Sequence, residues 1–187
     1  MNPTLHVIAD TSGSMKEMGK IHLQRNLCRY ASQLKTLNLV YSNLDMLFFQ
    51  WSAEVARIRP DDDGDIPPLT ARGPSDLGAL ADFLREARGE GRALRALVLS
   101  DGNFSKADAD GLAQKLGSLP GLRLLAVAIG ADADLVRLDK IASNGRCYLA
   151  EDIAAAVSDA AFGLEGRVSA PASASQIIFF ASGRGGE

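Results

Sequence analysis

Residues 5 to 14 read LHVIADTSGS, an apolar run followed by Asp10, Ser12 and Ser14, with Gly13 between the serines. The run is apolar at successive rather than alternate positions, which is the pattern of a central parallel strand covered on both faces. Where it ends the chain must turn, and Gly13 supplies backbone freedom for that turn. Asp10, Ser12 and Ser14 then arrive at one strand end as three hard oxygen donors, one of them charged. Mg²⁺ takes oxygen ligands in near-octahedral geometry, usually one or two carboxylates with neutral oxygens and water. The stretch therefore predicts part of a divalent-metal site. Ser14-Met15-Lys16-Glu17 also fits a capping box, so taken alone the same residues are explained equally well by a helix start.

Working outward, Ile21, Leu23, Leu27, Tyr30, Ala31, Leu34 and Leu37 recur at helical spacing and predict an amphipathic helix from Glu17 to about Leu37. LDMLFFQW at 44–51 reads as a second buried strand, and VARIR at 55–59, alternating apolar with charged, as its antiparallel edge partner. The Pro- and Gly-rich stretch 60–75 is a long loop of the kind that is usually functional. Its acidic cluster Asp61, Asp62, Asp63 and Asp65 lacks the closing bidentate Glu of a calcium loop, so a solvated acidic turn is the favoured reading over a second metal. A helix begins at Ser75-Asp76 and runs to about Arg88, with Leu77, Leu80, Ala81 and Leu84 facing inward.

The same alternation continues. ALRALVLS at 93–100 is a strand ending in Asp101-Gly102, Ser105 to Asp108 forms a capping box for a helix to Leu116, and GLRLLAVAIG at 121–130 is another Gly-ended strand. Asp134 caps a short helix to Ala142, 146–150 is a last short strand, and 151–166 a closing helix. Strand and helix in turn predict an α/β, doubly wound and mostly parallel sheet. The domain is placed at 1–168. Beyond Val168 come the flexible SAPASAS and the β-prone QIIFFA at 176–181, a tail expected to be covered, by its own sheet or by another chain.

At 187 residues the chain has the length of one domain with a full core. A formal charge of −3 leaves no basic footprint for nucleic acid. No apolar run is long enough to span a membrane, the start of the chain lacks the pattern of a secretory signal, and two distant cysteines, Cys28 and Cys147, suit a reducing compartment. A cytoplasmic protein is expected. His6, without a partner motif, reads as a packed core or edge histidine, and Arg85, Arg88, Arg92 and Arg95 as a solvated basic flank rather than a docking surface.

In a doubly wound sheet ligands bind at the carboxyl ends of the strands, where connections diverge to opposite faces. Asp10 ends one strand and Asp101 another. If those strands are neighbours their carboxylates share a crevice, which Ser75 reaches from the loop entering the second helix. Asp10, Ser12, Ser14, Ser75 and Asp101 are thus the candidate metal ligands.

DTSGS at 10–14, GPSDLGAL at 73–80, LVLSDG at 97–102, and AVAIG followed by IASNGRCYLAED together resemble the von Willebrand factor A domain family, over most of residues 4–166. The resemblance implies a Rossmann-like, six-stranded sheet of order 3-2-1-4-5-6 with strand 3 antiparallel. It implies a metal-ion-dependent adhesion site, or MIDAS, in which Ser12, Ser14 and Ser75 contact Mg²⁺ and Asp10 and Asp101 act directly or through water. Ser75 replaces the family's usual Thr, keeping the hydroxyl and losing a stiffening methyl. A stand-alone bacterial member similar to the tellurite-resistance-associated ones is implied, working beside AAA+ ATPases or kinase and phosphatase systems.

The expected function is metal-dependent binding of an Asp or Glu of a partner protein, through Mg²⁺ or else Mn²⁺ or Ca²⁺, without catalysis. One alternative is a Mg²⁺-dependent phosphohydrolase. Against it, Ser12 stands where such an enzyme places its acid/base carboxylate. The other is a structural scaffold with a vestigial metal site.

Overall fold

The structure, a computed structural model, describes residues 2–89 and 93–163. The linker and the QIIFFA tail expected beyond Val168, with the last residues of the expected closing helix and Arg92, lie outside the described residues. Strands β1 (Thr4–Asp10), β2 (Asp45–Trp51), β3 (Val55–Ile58), β4 (Leu94–Ser100), β5 (Leu122–Ala128) and β6 (Cys147–Leu149) form one sheet of order β3-β2-β1-β4-β5-β6. All neighbours are parallel except β2 and β3, the antiparallel edge pair. The expected sheet order and the direction of strand 3 are therefore both observed.

Helices α1 (Lys20–Leu37), α2 (Leu77–Arg88), α3 (Lys106–Gly117), α4 (Leu135–Ile141) and α5 (Ile153–Phe162) cover the two faces. Alternate residues of a strand point to opposite faces. Leu5, Val7 and Ala9 accordingly pack with α1 and α5 residues such as Ala31 and Ala160, whereas Ile8 packs with Leu80 and Leu112 of α2 and α3. Leu97 and Leu99 on β4 have no exposed surface, and burying each contributes about 1.5–3 kcal/mol. His6 is half-buried and stacks on Phe49 with ring centroids 5.5 Å apart, edge-on to Phe83 at 6.2 Å, as a packed histidine should.

Helix starts follow the caps read from sequence. Asp76 accepts from the amides of Gly78 and Ala79 at 2.8 and 3.0 Å, Ser105 from Asp108 at 3.0 Å, and Asp134 from Arg137 at 3.0 Å. Each satisfies amides that a helix leaves without internal partners.

Two expectations need correction. The first long helix starts at Lys20, not Glu17, because Met18 and Gly19 take left-handed backbone angles (φ 49° and 71°) that break it from the 3₁₀ segment Gly13–Gly19. Ser14 therefore caps nothing, and the capping-box reading of residues 14–17 falls away. The buried stripe of α1 also differs. Lys20, Ile21, Gln24, Cys28, Ala31 and Leu34 face inward, while Leu23, Tyr30 and Leu37 are exposed. Polar Lys20 and Gln24 hold core-facing positions at one-turn spacing. No helix among the described residues is long and apolar enough to cross a membrane.

Candidate metal centre

β1 and β4 are adjacent and parallel, with Ala9 opposite Leu99, so Asp10 and Ser100 end side by side at the carboxyl edge. Asp10 is fully buried, and both its carboxylate oxygens are in use. Oδ1 accepts the Ser12 amide at 2.8 Å and Oδ2 accepts the Ser100 hydroxyl at 2.6 Å. Burial pushes its carboxyl up to about 6, assisted by the nearby charge of Asp101 and opposed by the bonds from Ser100 and Ser12. A buried carboxylate whose charged form is disfavoured in this way is stabilised by any cation brought beside it.

Ser12, Ser14 and Asp101 form the face of the site. The two serine hydroxyl oxygens lie 3.2 Å apart, and Ser14 Oγ donates to Asp101 Oδ1, also at 3.2 Å. Asp101 Oδ1 further accepts the Asn103 amide at 3.0 Å, which sets the carboxylate's rotation. Adjacent corners of an octahedron with metal–oxygen bonds near 2.1 Å are about 3.0 Å apart. Ser14 Oγ thus stands from each of the other two oxygens at close to the spacing of neighbouring Mg²⁺ ligands, and the donor set, hydroxyls with carboxylate, is of the hard type that ion takes. Ser12 and Asp101 are buried, Ser14 is half-buried and Gly13 exposed, so the solvent side lies at the 13–14 turn.

The middle loop is tied to that turn by its backbone. The Arg72 amide donates to the Thr11 carbonyl at 2.7 Å and the Gly13 amide to the Gly73 carbonyl at 2.8 Å, while the Asp76 amide ties the end of the loop to the Ser52 carbonyl, just past β2, at 3.0 Å. Ser75 stands in this loop, half-buried. Its hydroxyl makes no hydrogen bond to Asp10, Ser12, Ser14 or Asp101. The structure thus brings four of the five candidate side chains into one hydrogen-bonded group and sets the fifth on the adjoining loop.

Four residues of this group were not anticipated. Lys20, 2% exposed, places its ammonium 2.7 Å from Asp101 Oδ2 and 2.9 Å from Asp132 Oδ2. Burial works against its charge, but the bonds to Asp101 and Asp132 outweigh it and hold the pKa above the usual lysine value. Gly130 makes room for it, since a Cβ there would lie 2.7 Å from Lys20 Cδ. Ser100 holds Asp10 as described. Gln24 donates its amide to the Asp10 carbonyl at 2.7 Å. The available signal for Lys20 and Gln24 was their placement on the inward stripe of α1, and for Ser100 a hydroxyl inside an apolar strand; nothing in the sequence marked Asp132.

The acidic loop does not form a second centre. Asp61 Oδ1 accepts the amides of Asp63 and Asp65, and Asp65 pairs with Arg25 at 2.9 Å. Among the described residues no group of three or more His, Cys, Asp or Glu side chains could hold a metal. A metal centre here therefore depends on hydroxyl ligands. Of the basic flank, Arg85 pairs with Asp82 and Arg88 donates to the Pro120 carbonyl, local contacts of a solvated helix end.

No protein-family model matches the sequence, and no curated protein matches it either. Solved structures do match. The ArnB paralog VWA2 of Sulfolobus acidocaldarius superposes with a TM-score of 0.62 at 15% identity, over 84% of this chain and 45% of that one. Manganese-loaded TRAP of Plasmodium vivax gives 0.59 at 17% identity, over 84% of this chain and 72% of that one. Proximal thread matrix protein 1 from the mussel byssus, with a zinc-occupied MIDAS motif, gives 0.54 at 14% identity, over 84% and 45%. This chain spans less than half the length of the first and third of these. Identities this low speak to the fold alone. The strand order with its single antiparallel edge, the helices on both faces and these superpositions together give the chain the fold of the von Willebrand factor A domains.

Proposed function

We propose that the protein is a binding module that grips an acidic side chain of another protein through a divalent cation at the carboxyl edge of β1 and β4. The observation that carries this reading is the pair of 3.2 Å separations that set Ser14 Oγ between Ser12 Oγ and Asp101 Oδ1, each close to the distance between adjacent ligands of one ion. Ser12 and Ser14 would donate hydroxyl oxygens and Asp101 its Oδ1, with Ser75 reaching in from the middle loop. Asp10 would act through the hydroxyls and water around it, because both its oxygens are already held. When bound, Mg²⁺, or Mn²⁺ or Ca²⁺ in its place, supplies a charge that one further anionic oxygen can complete. That two structures of the same fold carry manganese and a zinc-occupied MIDAS motif supports the assignment.

The chain's own residues then have simple tasks. Ser100 and the Ser12 amide fix Asp10, Asn103 fixes Asp101, and the Thr11–Arg72 backbone bond keeps the middle loop against the turn. The solvent side at Gly13 and Ser14 admits a partner's Asp or Glu. No hydrolytic role is assigned, since Ser12 occupies the position where an acid/base carboxylate would act. An acidic segment of an ATPase, kinase or phosphatase assembly is the partner class proposed.

The test is Mn²⁺ binding followed by paramagnetic resonance, together with calorimetric titration of an acidic peptide in the presence and absence of EDTA. Stoichiometric Mn²⁺ uptake that weakens about tenfold or more in Ser14→Ala and Asp101→Ala supports the reading. Uptake unchanged in both variants removes it. A second reading, a scaffold that needs no metal, is favoured by one observation: the Lys20 ammonium already lies against Asp101. Absence of Mn²⁺ uptake by the native chain would select it.

A further inference from the structure

Lys20 is a buried cation in direct contact with one of the ligand carboxylates, and the reading above has no use for it. We propose that Lys20 makes the ion and the partner's carboxylate interdependent, each binding weakly alone and tightly with the other; this rests on the metal-binding reading and assigns its regulation.

The argument is one of charge. Asp10, Asp101 and Lys20 are each no more than 2% exposed, so their interactions are little screened. Asp132, which takes the Lys20 ammonium at 2.9 Å, is 41% exposed, so solvent shares its charge and it offsets Lys20 less fully than buried Asp101 does. Asp10 and Asp101 alone would leave a divalent ion formally neutral. With Lys20 counted, the same buried group carries one negative charge before the ion binds and one positive charge after it. The ion therefore meets a weaker attraction than two carboxylates would give it. Once seated, it presents an excess positive charge that a carboxylate from outside removes. A coupling of this kind is reciprocal, so the ion strengthens the carboxylate by the factor with which the carboxylate strengthens the ion.

Geometry places Lys20 to act in this way without blocking the ion. Its ammonium takes Asp101 Oδ2, while Oδ1 is the oxygen turned to Ser14. The two oxygens of one carboxylate are divided between a fixed cation and the hydroxyl pair. The lysine stem is held by the first turn of α1 and by the space that Gly130 leaves open, where an added Cβ would also lie 2.8 Å from Asp132 Oδ1. The ammonium is thus a fixed part of the site.

The experiment measures Mn²⁺ binding to the native chain and to Lys20→Met, with and without acetate as the carboxylate probe, at constant ionic strength set by chloride. The native chain is expected to bind Mn²⁺ weakly and to tighten about fivefold or more with acetate. Lys20→Met is expected to bind Mn²⁺ about tenfold more tightly without acetate and to lose most of the acetate response. Lys20→Gln, which keeps a hydrogen-bond donor but not the charge, should behave as Lys20→Met does and serves if that variant does not fold. A native chain whose Mn²⁺ affinity ignores acetate overturns the proposal, as does equal affinity and equal acetate response in native and variant chains; in both results the metal reading stands. No Mn²⁺ binding by any of the chains overturns the metal reading, and this proposal with it.

Discussion

The carboxylate of Asp101 is shared by two different neighbours: Oδ2 lies 2.7 Å from the Lys20 ammonium and Oδ1 lies 3.2 Å from the Ser14 hydroxyl. The lysine arrives from the start of α1 and the serine from the turn after β1, so one side chain at the end of β4 joins both segments to the sheet. Charge on one side and hydroxyl on the other make the two neighbours separable by mutation.

Truncating the lysine tests the structural half. Lys20→Met leaves Asp101 buried without its cation, and breaking a buried pair by removing one partner costs about 3–5 kcal/mol. In metal-free buffer the variant should lose about 3 kcal/mol in urea unfolding. Added Mn²⁺ should recover more of that loss than it adds to the native chain.

Truncating the serine tests the other half. Ser14 is half-buried and its two hydroxyl contacts are at 3.2 Å, so Ser14→Ala should change unfolding free energy by about 1 kcal/mol or less. Mn²⁺ affinity should fall about tenfold, the loss of roughly one ligand bond's worth at 1.4 kcal/mol per factor of ten. A large stability loss with unchanged Mn²⁺ affinity would reverse the assignment.

Beside the start of β5, away from the carboxyl edge, Asp159 of α5 is 3% exposed and accepts from Arg123, from Arg146 at 3.0 Å and from the Tyr148 hydroxyl at 2.7 Å. Asp159→Ala strands two half-buried guanidinium groups and a phenol that it now satisfies. Chemical denaturation should show a loss of about 3 kcal/mol with no change in Mn²⁺ binding.

Gly102 follows Asp101 with φ 72°, and a Cβ there would lie 2.8 Å from the Asp134 carbonyl oxygen and 3.1 Å from Leu138 Cγ. Backbone cannot yield as a flexible side-chain end does. Gly102→Ala should therefore destabilise the fold by about 2 kcal/mol or more, read from its thermal midpoint.

His6 gives the pH dependence. Burial against Phe49 and Phe83 lowers its pKa, with the charge of Arg57 adding and a backbone bond at Arg95 opposing. Below about pH 6.5 the unfolded chain takes up a proton that the folded chain refuses. Its contribution is thus fully present above that value and is lost as pH falls toward the folded pKa. The stability of His6→Phe, measured across pH 5–8, should lack that decline relative to the native chain.

Much of the architecture was legible in advance. LHVIA, LDMLFFQW and ALRALVLS are apolar on both parities because both faces of a central strand are covered, and Asp76, Ser105 and Asp134 announce their helices by the amides they can accept. The break before α1 was only half legible, since Gly19 (φ 71°) marks it in the sequence while the methionine before it, at φ 49°, does not. Lys20 was hidden for another reason. A lysine on a helix is exposed far more often than it is buried, and only the pairing with Asp101 and Asp132 makes its burial tolerable.

By itself the sequence determined the doubly wound sheet, the order in which its elements follow and the oxygen-bearing residues placed at the strand ends, because period and caps are local properties of the chain. Which of those oxygens meet, at what spacing, and that a lysine shares one carboxylate with a serine were decided only in three dimensions. Those contacts join residues as far apart in the chain as Ser14 and Asp101, brought together by the adjacency of β1 and β4.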